Sequence, residues 1–231
     1  MILLLALGLS GCTKRAPVPA SPAGSANAGA VLVEISGGKQ ATRIGAALEQ
    51  PVVLQVNDAQ GAAVAGAMVT LSGAKGVKFD PASGATDSSG QLSAQVWAPG
   101  ASGHFQIVAL TNAEKVHLKI DQVGLGYEQL LGRQLSVQYC ARCHDPESTP
   151  ERVSNMDNLD PKPHAFTEGD TYNKIGAADL ISLIGHGGAA LNKSASMPPY
   201  GHTLSPADIE ALSSYIRAIA DPPYPRVYAN K

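Results

Sequence analysis

The chain has 231 residues, of which 44% are hydrophobic and 5% aromatic, and its formal net charge at pH 7 is −2. This length suits one or two domains, and the hydrophobic content excludes a chain that is disordered throughout. The nearly balanced charge, with no basic stripe, excludes a surface built to bind nucleic acid. The 24 glycines and 16 prolines favour short strands, turns and loops.

The first twelve residues, MILLLALGLSGC, predict an export signal. The apolar run from Ile2 to Leu9 is shorter than the roughly 20 residues that span a bilayer, and it is typical of a secretory signal. The run ends in Leu9-Ser10-Gly11-Cys12, which resembles the lipobox of bacterial lipoproteins. The resemblance implies that residues 1–11 are removed and that Cys12 is lipidated. The alternatives are an ordinary signal peptide or a buried N-terminal strand.

Residues 12–30 are predicted to be the lipidated Cys12 followed by a flexible linker. The sequence after the cysteine, TKRAPVPASPAGSANAGA, is rich in Ala, Pro, Ser and Gly and has few large apolar side chains. A lipid anchor with a tether predicts an exported protein. We expect it to be held on a bacterial membrane facing the periplasm, or on the cell surface.

Residues 31–121 alternate apolar and polar side chains with a period of two. In PVVLQVND, for example, Val52, Leu54 and Val56 fall on one side of a strand. Seven short segments of this kind are separated by turn sequences such as NDAQG, DPASG and DSSG. This pattern predicts an antiparallel all-β sandwich.

Two stretches of this region, LQVNDAQGAAVAGAMVTLSG and TDSSGQLSAQVWAPGASGHFQIVA, are similar to bacterial immunoglobulin-like domains of the invasin and intimin type. The resemblance covers most of residues 45–121 and implies a spacer or an adhesive module. His104 and His117 occupy strand positions, and we expect both at the surface. The segment contains no recognisable catalytic group.

From residue 122 the apolar period becomes helical, and three helices are predicted up to residue 222. The first leads into Cys140, the second covers about residues 177–186, and the third follows Ser205. Their apolar faces are Tyr127, Leu130, Leu131 and Leu135; then Leu180, Ile181 and Ile184; then Ile209, Leu212, Ile216 and Ile219. A long loop is predicted from Asp145 to about Lys174, and residues 223–231 are a tail.

The boundaries of the last two helices carry specific signals. Gly187-Gly188 can end the second helix with a left-handed residue. Ser205 is the predicted N-cap of the third, with Pro206 at its first position and Asp208 at its third. Pro222-Pro223 cannot continue that helix.

The stretch Cys140-Ala141-Arg142-Cys143-His144 suits three chemistries. A structural zinc site needs four Cys or His ligands, and without a second cysteine pair it would need two histidines. A redox dithiol would favour a βαβ context, whereas the flanks here are helical. In the third interpretation Cys140 and Cys143 attach one haem covalently through thioethers, and His144 is the proximal ligand of the iron.

A haem of this kind needs a second axial ligand, and the stretch SASMPPYG supplies Met197. A thioether sulfur is a soft ligand suited to haem iron and raises its potential. Met197 lies in a loop bounded by Pro and Gly rather than in the apolar face of a helix. A role in packing the hydrophobic core is therefore less expected for it. Met156 is the rival methionine, and His164, His186 or His202 would give a pair of histidine ligands.

The segments GRQLSVQYCARCH, LDPKPHAF and DLISLIGHGGAALNKSASMPPYGHTLSPADIEALSSYIRAI resemble a class I mono-haem cytochrome c over about residues 125–220. The resemblance implies an all-α fold around one covalent haem, with the first and last helices crossing near Gly132. Tyr215 matches the family's aromatic residue on the last helix, whereas Ser136 replaces an aromatic on the first. The resemblance also implies that a proline carbonyl accepts a hydrogen bond from the ring N–H of His144. The candidates for that acceptor are Pro146, Pro161 and Pro163.

The complete fold prediction is an immunoglobulin-like sandwich followed by a class I cytochrome c domain. With His144 and Met197 bound, the iron would have no open position, which favours electron transfer over enzymatic chemistry. The expected partners are redox proteins, and the membrane through the lipid anchor. A subunit role in a larger respiratory complex is one alternative. A haem-based sensor or adhesin, with the sandwich as binding module, is another.

Overall fold

The computed structural model describes residues 31–111, 115–145 and 154–225. Cys12 and its linker lie outside these residues, as does Pro146. Nine strands are described. They are β1 (Val31–Ser36), β2 (Ala41–Arg43), β3 (Val52–Asn57), β4 (Met68–Gly73), β5 (Lys78–Asp80), β6 (Ser83–Ala85), β7 (Gln91–Trp97), β8 (Gly103–Thr111) and β9 (Val116–Leu125).

The strands form two sheets that pack face to face. One has the order β1-β3-β7-β5, and the other has the order β2-β9-β8-β4-β6. Alternation decides which residues enter the space between them, because successive side chains of a strand point to opposite faces. In β3, Val52, Leu54 and Val56 are buried while the residues between them are half-buried. Val69 and Ile107 of the second sheet join the same core.

The predicted all-β sandwich is confirmed, with three differences in detail. The additional strands β2 and β6 have three residues each, too few to show a period of two. The β2–β9 pairing is parallel, whereas the other strand pairs of the described sheets are antiparallel. The sandwich also continues to Leu125 and does not end at residue 121. The four extra residues pair with β2 and β8. This pairing joins segments that are distant in sequence, so the local sequence does not reveal it.

The second region is helical, as predicted. Its helices are α1 (Tyr127–Tyr139), α2 (Ala141–His144), α3 (Gly169–Tyr172), α4 (Ala177–His186) and α5 (Pro206–Ile219), with 3-10 turns at Met156–Asn158 and Ala189–Leu191. The predicted second and third helices are confirmed at α4 and α5. The Ser205 hydroxyl accepts from the Asp208 backbone N–H, and Asp208 accepts from the Ser205 N–H. This reciprocal capping box stabilises the first turn of α5.

Helices α1 and α5 cross in direct backbone contact at Gly132. A Cβ at this position would lie 2.0 Å from the Ala211 carbonyl oxygen, so only glycine fits without movement. Ser136, one turn later, is also buried. The crossing was expected, but the predicted apolar face of α1 is wrong in one respect. Tyr127 is 88% exposed, because small residues rather than the largest ones face α5.

The two domains join without a linker. Strand β9 ends at Leu125, and Gly126 is already the N-cap of α1. The guanidinium of Arg133 on α1 donates to the Ala41 carbonyl at 3.2 Å and pairs with Glu49 at 3.3 Å. These contacts attach α1 to the second sheet.

The domain contact also changes the surroundings of one predicted surface residue. His104 is half-buried, and its Nε2 atom is buried without a hydrogen-bond partner in the described structure. Its expected surface position is therefore wrong, because α5 covers the strand end that carries it. His117 is exposed, as predicted. Within the described ranges, no helix has the length and apolarity needed to cross a membrane.

Candidate haem site

The Cys-x-x-Cys-His stretch forms a tight helical turn at the end of α1. Cys140 is both the C-cap of α1 and the N-cap of α2. Its carbonyl oxygen accepts from the N–H groups of both Cys143 and His144 at 3.0 Å. This turn brings both sulfurs and the imidazole to one wall of a cavity. Both cysteines are free thiols, so both sulfurs are available for thioether bonds.

The thiol chemistry of this turn disfavours a redox dithiol. Burial, with a smaller effect from neighbouring Cys143, raises the pKa of the Cys140 thiol to about 12. Reactive dithiols depend on a lowered pKa that supplies thiolate at neutral pH. A zinc site also lacks support, because no group of three or more His, Cys, Asp or Glu side chains in the described ranges is arranged to hold a metal ion.

His144 is held by a hydrogen bond from its ring. Its Nδ1 atom donates to the carbonyl oxygen of His164 at 2.8 Å. Burial lowers the pKa of His144, although this hydrogen bond acts in the opposite direction. The side chain is therefore kept neutral, and with the proton on Nδ1 the lone pair lies on Nε2. This is the form in which histidine binds a metal.

The expected proline acceptor for His144 is wrong as regards Pro161 and Pro163. The acceptor is the carbonyl of His164, the residue that follows Pro163. A hydrogen bond between residues 20 apart in sequence depends on how the intervening loop folds back, and several neighbouring carbonyls satisfy the same chemical requirement. The fold alone decides which of them reaches Nδ1.

Two aromatic residues that the sequence analysis did not identify surround His144. Phe166 stacks on the imidazole, with ring centroids 4.7 Å apart and planes inclined by 18°. Tyr172 of α3 meets Phe166 edge-on and donates from its hydroxyl to the His164 carbonyl at 3.0 Å. In the sequence, both residues differ from the rest of the predicted long loop only in being aromatic and apolar, which does not identify them as neighbours of His144. Together they hold the imidazole plane by packing as well as by hydrogen bonding.

Met197 comes from a loop that packs on the C-terminal end of α4. The Met197 carbonyl accepts from the Gly188 N–H at 3.0 Å. Gly187 has a φ of +79°, and a Cβ there would lie 2.8 Å from the Pro199 nitrogen. A Cβ at Gly188 would lie 2.0 Å from the Ser194 carbonyl oxygen. The glycine pair thus ends α4 and also permits the close approach of the methionine loop.

Tyr200 connects the methionine loop to the cysteine-bearing helix. Its hydroxyl donates to the Tyr139 carbonyl at 2.8 Å, one residue before Cys140. The rings of the two tyrosines also meet edge-on, with centroids 6.0 Å apart. These contacts link the chain segments that carry the two predicted iron ligands.

One largely apolar cavity of about 280 Å³ unites the predicted site. Cys140, Cys143, His144 and Met197 all line it. Leu180, Ile184, Leu212 and Ile216 contribute apolar surface, and Lys162 and Lys193 also line the cavity. Two thiols, a neutral imidazole, a thioether and apolar walls are the donor set and surroundings that a covalently attached haem requires. The residues present therefore fit this group.

The rival ligands are placed differently from Met197. Met156 is buried in its 3-10 turn and does not line the cavity. His186 and His202 are exposed and do not line it either. His164 does line it, but its Nδ1 is paired with the Glu168 carboxylate at 2.7 Å. Of the rivals, only His164 shares the cavity, and Met197 remains the predicted sixth ligand.

Comparison with known proteins agrees with this arrangement. Residues 129–216 match the family model of cytochrome c oxidase, cbb3-type, subunit III. No curated protein sequence is significantly similar to the chain.

Several solved structures are similar to the chain. The adhesin InvE of Yersinia pseudotuberculosis has 15% identity and a TM-score of 0.35, over 41% of this chain and 31% of that one. The D00-D0 domain of intimin has 15% identity and a TM-score of 0.32, over 42% and 46%. Domains 4 and 5 of the S-layer protein SbsC have 13% identity and a TM-score of 0.33, over 41% and 51%. The match thus spans about half or less of each of these structures.

The family match covers most of α1, the Cys-x-x-Cys-His turn, the methionine loop and most of α5. Residues 31–125 form a sandwich of two sheets, the fold class predicted from the sequence. The chain therefore consists of a β-sandwich of two sheets followed directly by a helical, cytochrome c-like domain.

Proposed function

We propose that this protein is a membrane-anchored, mono-haem c-type cytochrome that carries single electrons between redox partners outside the cytoplasm. Cys140 and Cys143 would hold the haem covalently, and His144 and Met197 would bind its iron. Cys12 carries the lipid anchor. The observation that carries the proposal is that both cysteines, the neutral His144 and Met197 line one apolar cavity.

When bound, the haem supplies a one-electron couple between ferric and ferrous iron. The protein's own residues hold the site in one geometry. The His164 carbonyl and Phe166 fix the imidazole, while Gly188 and Tyr200 fix the methionine loop. Because both predicted ligands are held in place by neighbouring residues, their positions should change little when the iron gains or loses an electron. The apolar walls would lower the polarity around the haem, which is one way in which a protein sets the potential of the iron.

Redox-titrated optical spectroscopy of the full-length protein, with a Met197→Ala variant, tests the ligand assignment. The unsubstituted protein should show a six-coordinate, low-spin c-type spectrum and a positive potential. Met197→Ala should lose the methionine-to-iron band, and its potential should fall. Met156→Ala is the matched control and should keep both properties. A high-spin iron in the unsubstituted protein, or a Met156→Ala variant that loses the band instead, would contradict the assignment.

Mass spectrometry of the denatured protein tests covalent attachment independently of the ligands. The unsubstituted chain should retain the mass of one haem, because thioether bonds survive denaturation. The double variant Cys140→Ser/Cys143→Ser should not retain it. Retention of the added mass in the double variant would exclude attachment at these two cysteines.

Membrane attachment is a separate part of the proposal. The lipobox-like sequence Leu9-Ser10-Gly11-Cys12 supports it. Cell fractionation should find the unsubstituted protein with the membranes. Cys12→Ser should release it to the soluble fraction or leave it unprocessed. Continued recovery of a processed Cys12→Ser protein in the membranes would argue against lipidation as the anchor.

A second candidate function is that of an electron-transfer subunit in a larger respiratory complex. The family match to subunit III of cbb3-type oxidases favours this possibility. Mild detergent extraction followed by size fractionation distinguishes the two roles. A subunit should migrate with oxidase activity at a mass well above that of one chain, whereas a free carrier should migrate alone.

A further inference from the structure

The hydroxyl of Tyr172 lies beside the ring nitrogen of His144 that faces away from the predicted iron position. The oxygen is 3.4 Å from Nδ1 and 3.0 Å from the His164 carbonyl oxygen. That carbonyl also accepts the shorter, 2.8 Å hydrogen bond from Nδ1. One carbonyl therefore receives two donors, one from the imidazole and one from the phenol.

Tyr172 is held in this position from several sides. Its side chain is buried, and its ring packs edge-on against Phe166 at 5.7 Å. Its backbone carbonyl accepts from the Arg217 guanidinium of α5 at 3.3 Å. The same guanidinium also donates to the Ile175 carbonyl. The long helix α5 thereby holds the backbone of the short helix α3, which carries Tyr172.

The shared carbonyl has a chemical consequence for His144. A strong acceptor on Nδ1–H gives the imidazole more electron density and makes it a better donor to a metal. A second donor on the same oxygen competes for its electron density, so the acceptor becomes weaker. Better donation by histidine favours the ferric state, and weaker donation favours the ferrous state. A hydroxyl on this carbonyl should therefore move the potential upward.

We propose that Tyr172 is a positioning residue that raises the reduction potential by sharing the His164 carbonyl with His144. The inference rests on the proposed function, since it requires His144 as the proximal ligand. Tyr172 lines the same cavity as the four predicted haem residues, so the proposal concerns its hydroxyl rather than its ring. The hydroxyl acts through the carbonyl and the imidazole, the two groups it lies beside.

Redox titration of the full-length holoprotein with Tyr172→Phe is the principal test. The substitution removes one oxygen and keeps the ring that packs on Phe166. The midpoint potential should shift downward while the spectrum stays six-coordinate and low-spin. NMR of the reduced protein should show the Nδ1 proton of His144 moved downfield, as its hydrogen bond strengthens. Tyr215→Phe is the control, because Tyr215 is half-buried outside the cavity, and it should change neither property.

An unchanged or raised potential in a low-spin Tyr172→Phe variant would overturn the inference. A second measurement does not depend on that variant. In the unsubstituted reduced protein, the Tyr172 hydroxyl proton should be slow to exchange and should show a nuclear Overhauser effect to the His144 Nδ1 proton. The lack of this contact would overturn the inference as well. Failure of the proposed function would look different, because the unsubstituted protein would then lack the low-spin His/Met spectrum.

Discussion

The two domains complete their cores in different ways. In the sandwich, side chains from the two sheets fill the interior themselves, and Val52, Val56, Val69, Val96 and Ile107 have no exposed surface. In the helical domain, Leu180, Leu212 and Ile216 are buried, but they also line a cavity together with the candidate haem ligands. Side chains thus fill the interior of the sandwich, whereas the core of the helical domain borders the cavity that carries the candidate haem ligands.

The largest expected effect comes from removing haem attachment. In Cys140→Ser/Cys143→Ser, the helical domain should lose much of its stability, because its cavity walls would remain without their packing partner. The sandwich should stay folded. Hydrogen exchange measured by mass spectrometry should show fast exchange in α1, α4 and α5 and continued protection in β3 and β8. Equal loss of protection in both domains would show that the sandwich depends on the haem domain.

The reverse experiment creates a cavity in the sandwich. Ile107 has no exposed surface, so Ile107→Ala should cost about 2–5 kcal/mol of sandwich stability. The haem spectrum and potential should stay unchanged, because the haem cavity lies in the other domain. Denaturant unfolding followed by Trp97 fluorescence and by haem absorbance separates the two transitions. A parallel shift in both transitions would mean that the direct Leu125–Gly126 junction couples the domains into one folding unit.

A smaller effect is expected where α1 crosses α5. Gly132→Ala places a Cβ 2.0 Å from the Ala211 carbonyl, and overpacking of this kind typically costs about 1–3 kcal/mol. The matched control is Gly185→Ala in α4. There a Cβ would lie 3.7 Å from Ile209 Cδ1, in ordinary contact, so the higher helix propensity of alanine should leave stability unchanged or improved. Haem absorbance during thermal unfolding measures both variants, and equal midpoints would argue against a tight crossing.

The smallest effect concerns the N-terminus of α5. Ser205→Ala removes the cap and should cost about 1 kcal/mol of helical-domain stability. Hydrogen bonds from the Ser205 side chain and backbone lower the pKa of Asp208. The capping contribution should therefore be present above the unfolded carboxyl pKa of about 4 and disappear as the pH falls through the lower folded value. Asp208→Asn should reduce this acid dependence, as thermal unfolding at several pH values would measure.

Local pattern was sufficient for much of the architecture. The alternation in β3 and the caps of α5 depend on neighbours within a few residues, and both follow the prediction. The Cys-x-x-Cys-His spacing is also local, since one helical turn brings its members together. Tyr127 shows where such reasoning ends, because an apolar residue at the right spacing stayed exposed while Gly132 and Ser136 faced α5. The period of the apolar residues shows only which face of a helix is hydrophobic. A close crossing of two helices requires small side chains at the point of contact.

The sequence by itself predicted the two-domain order, seven of the described strands, the helices α1, α4 and α5, the candidate haem attachment motif and Met197 as candidate ligand. Each of these follows from chemistry carried by a short stretch of chain. Only the tertiary structure decided that the His164 carbonyl accepts from His144, that Tyr172 shares it, and that β9 continues into α1 without a linker. These features join residues that are far apart in sequence or choose among equivalent backbone groups. The packing of the whole domain determines which of these groups come into contact.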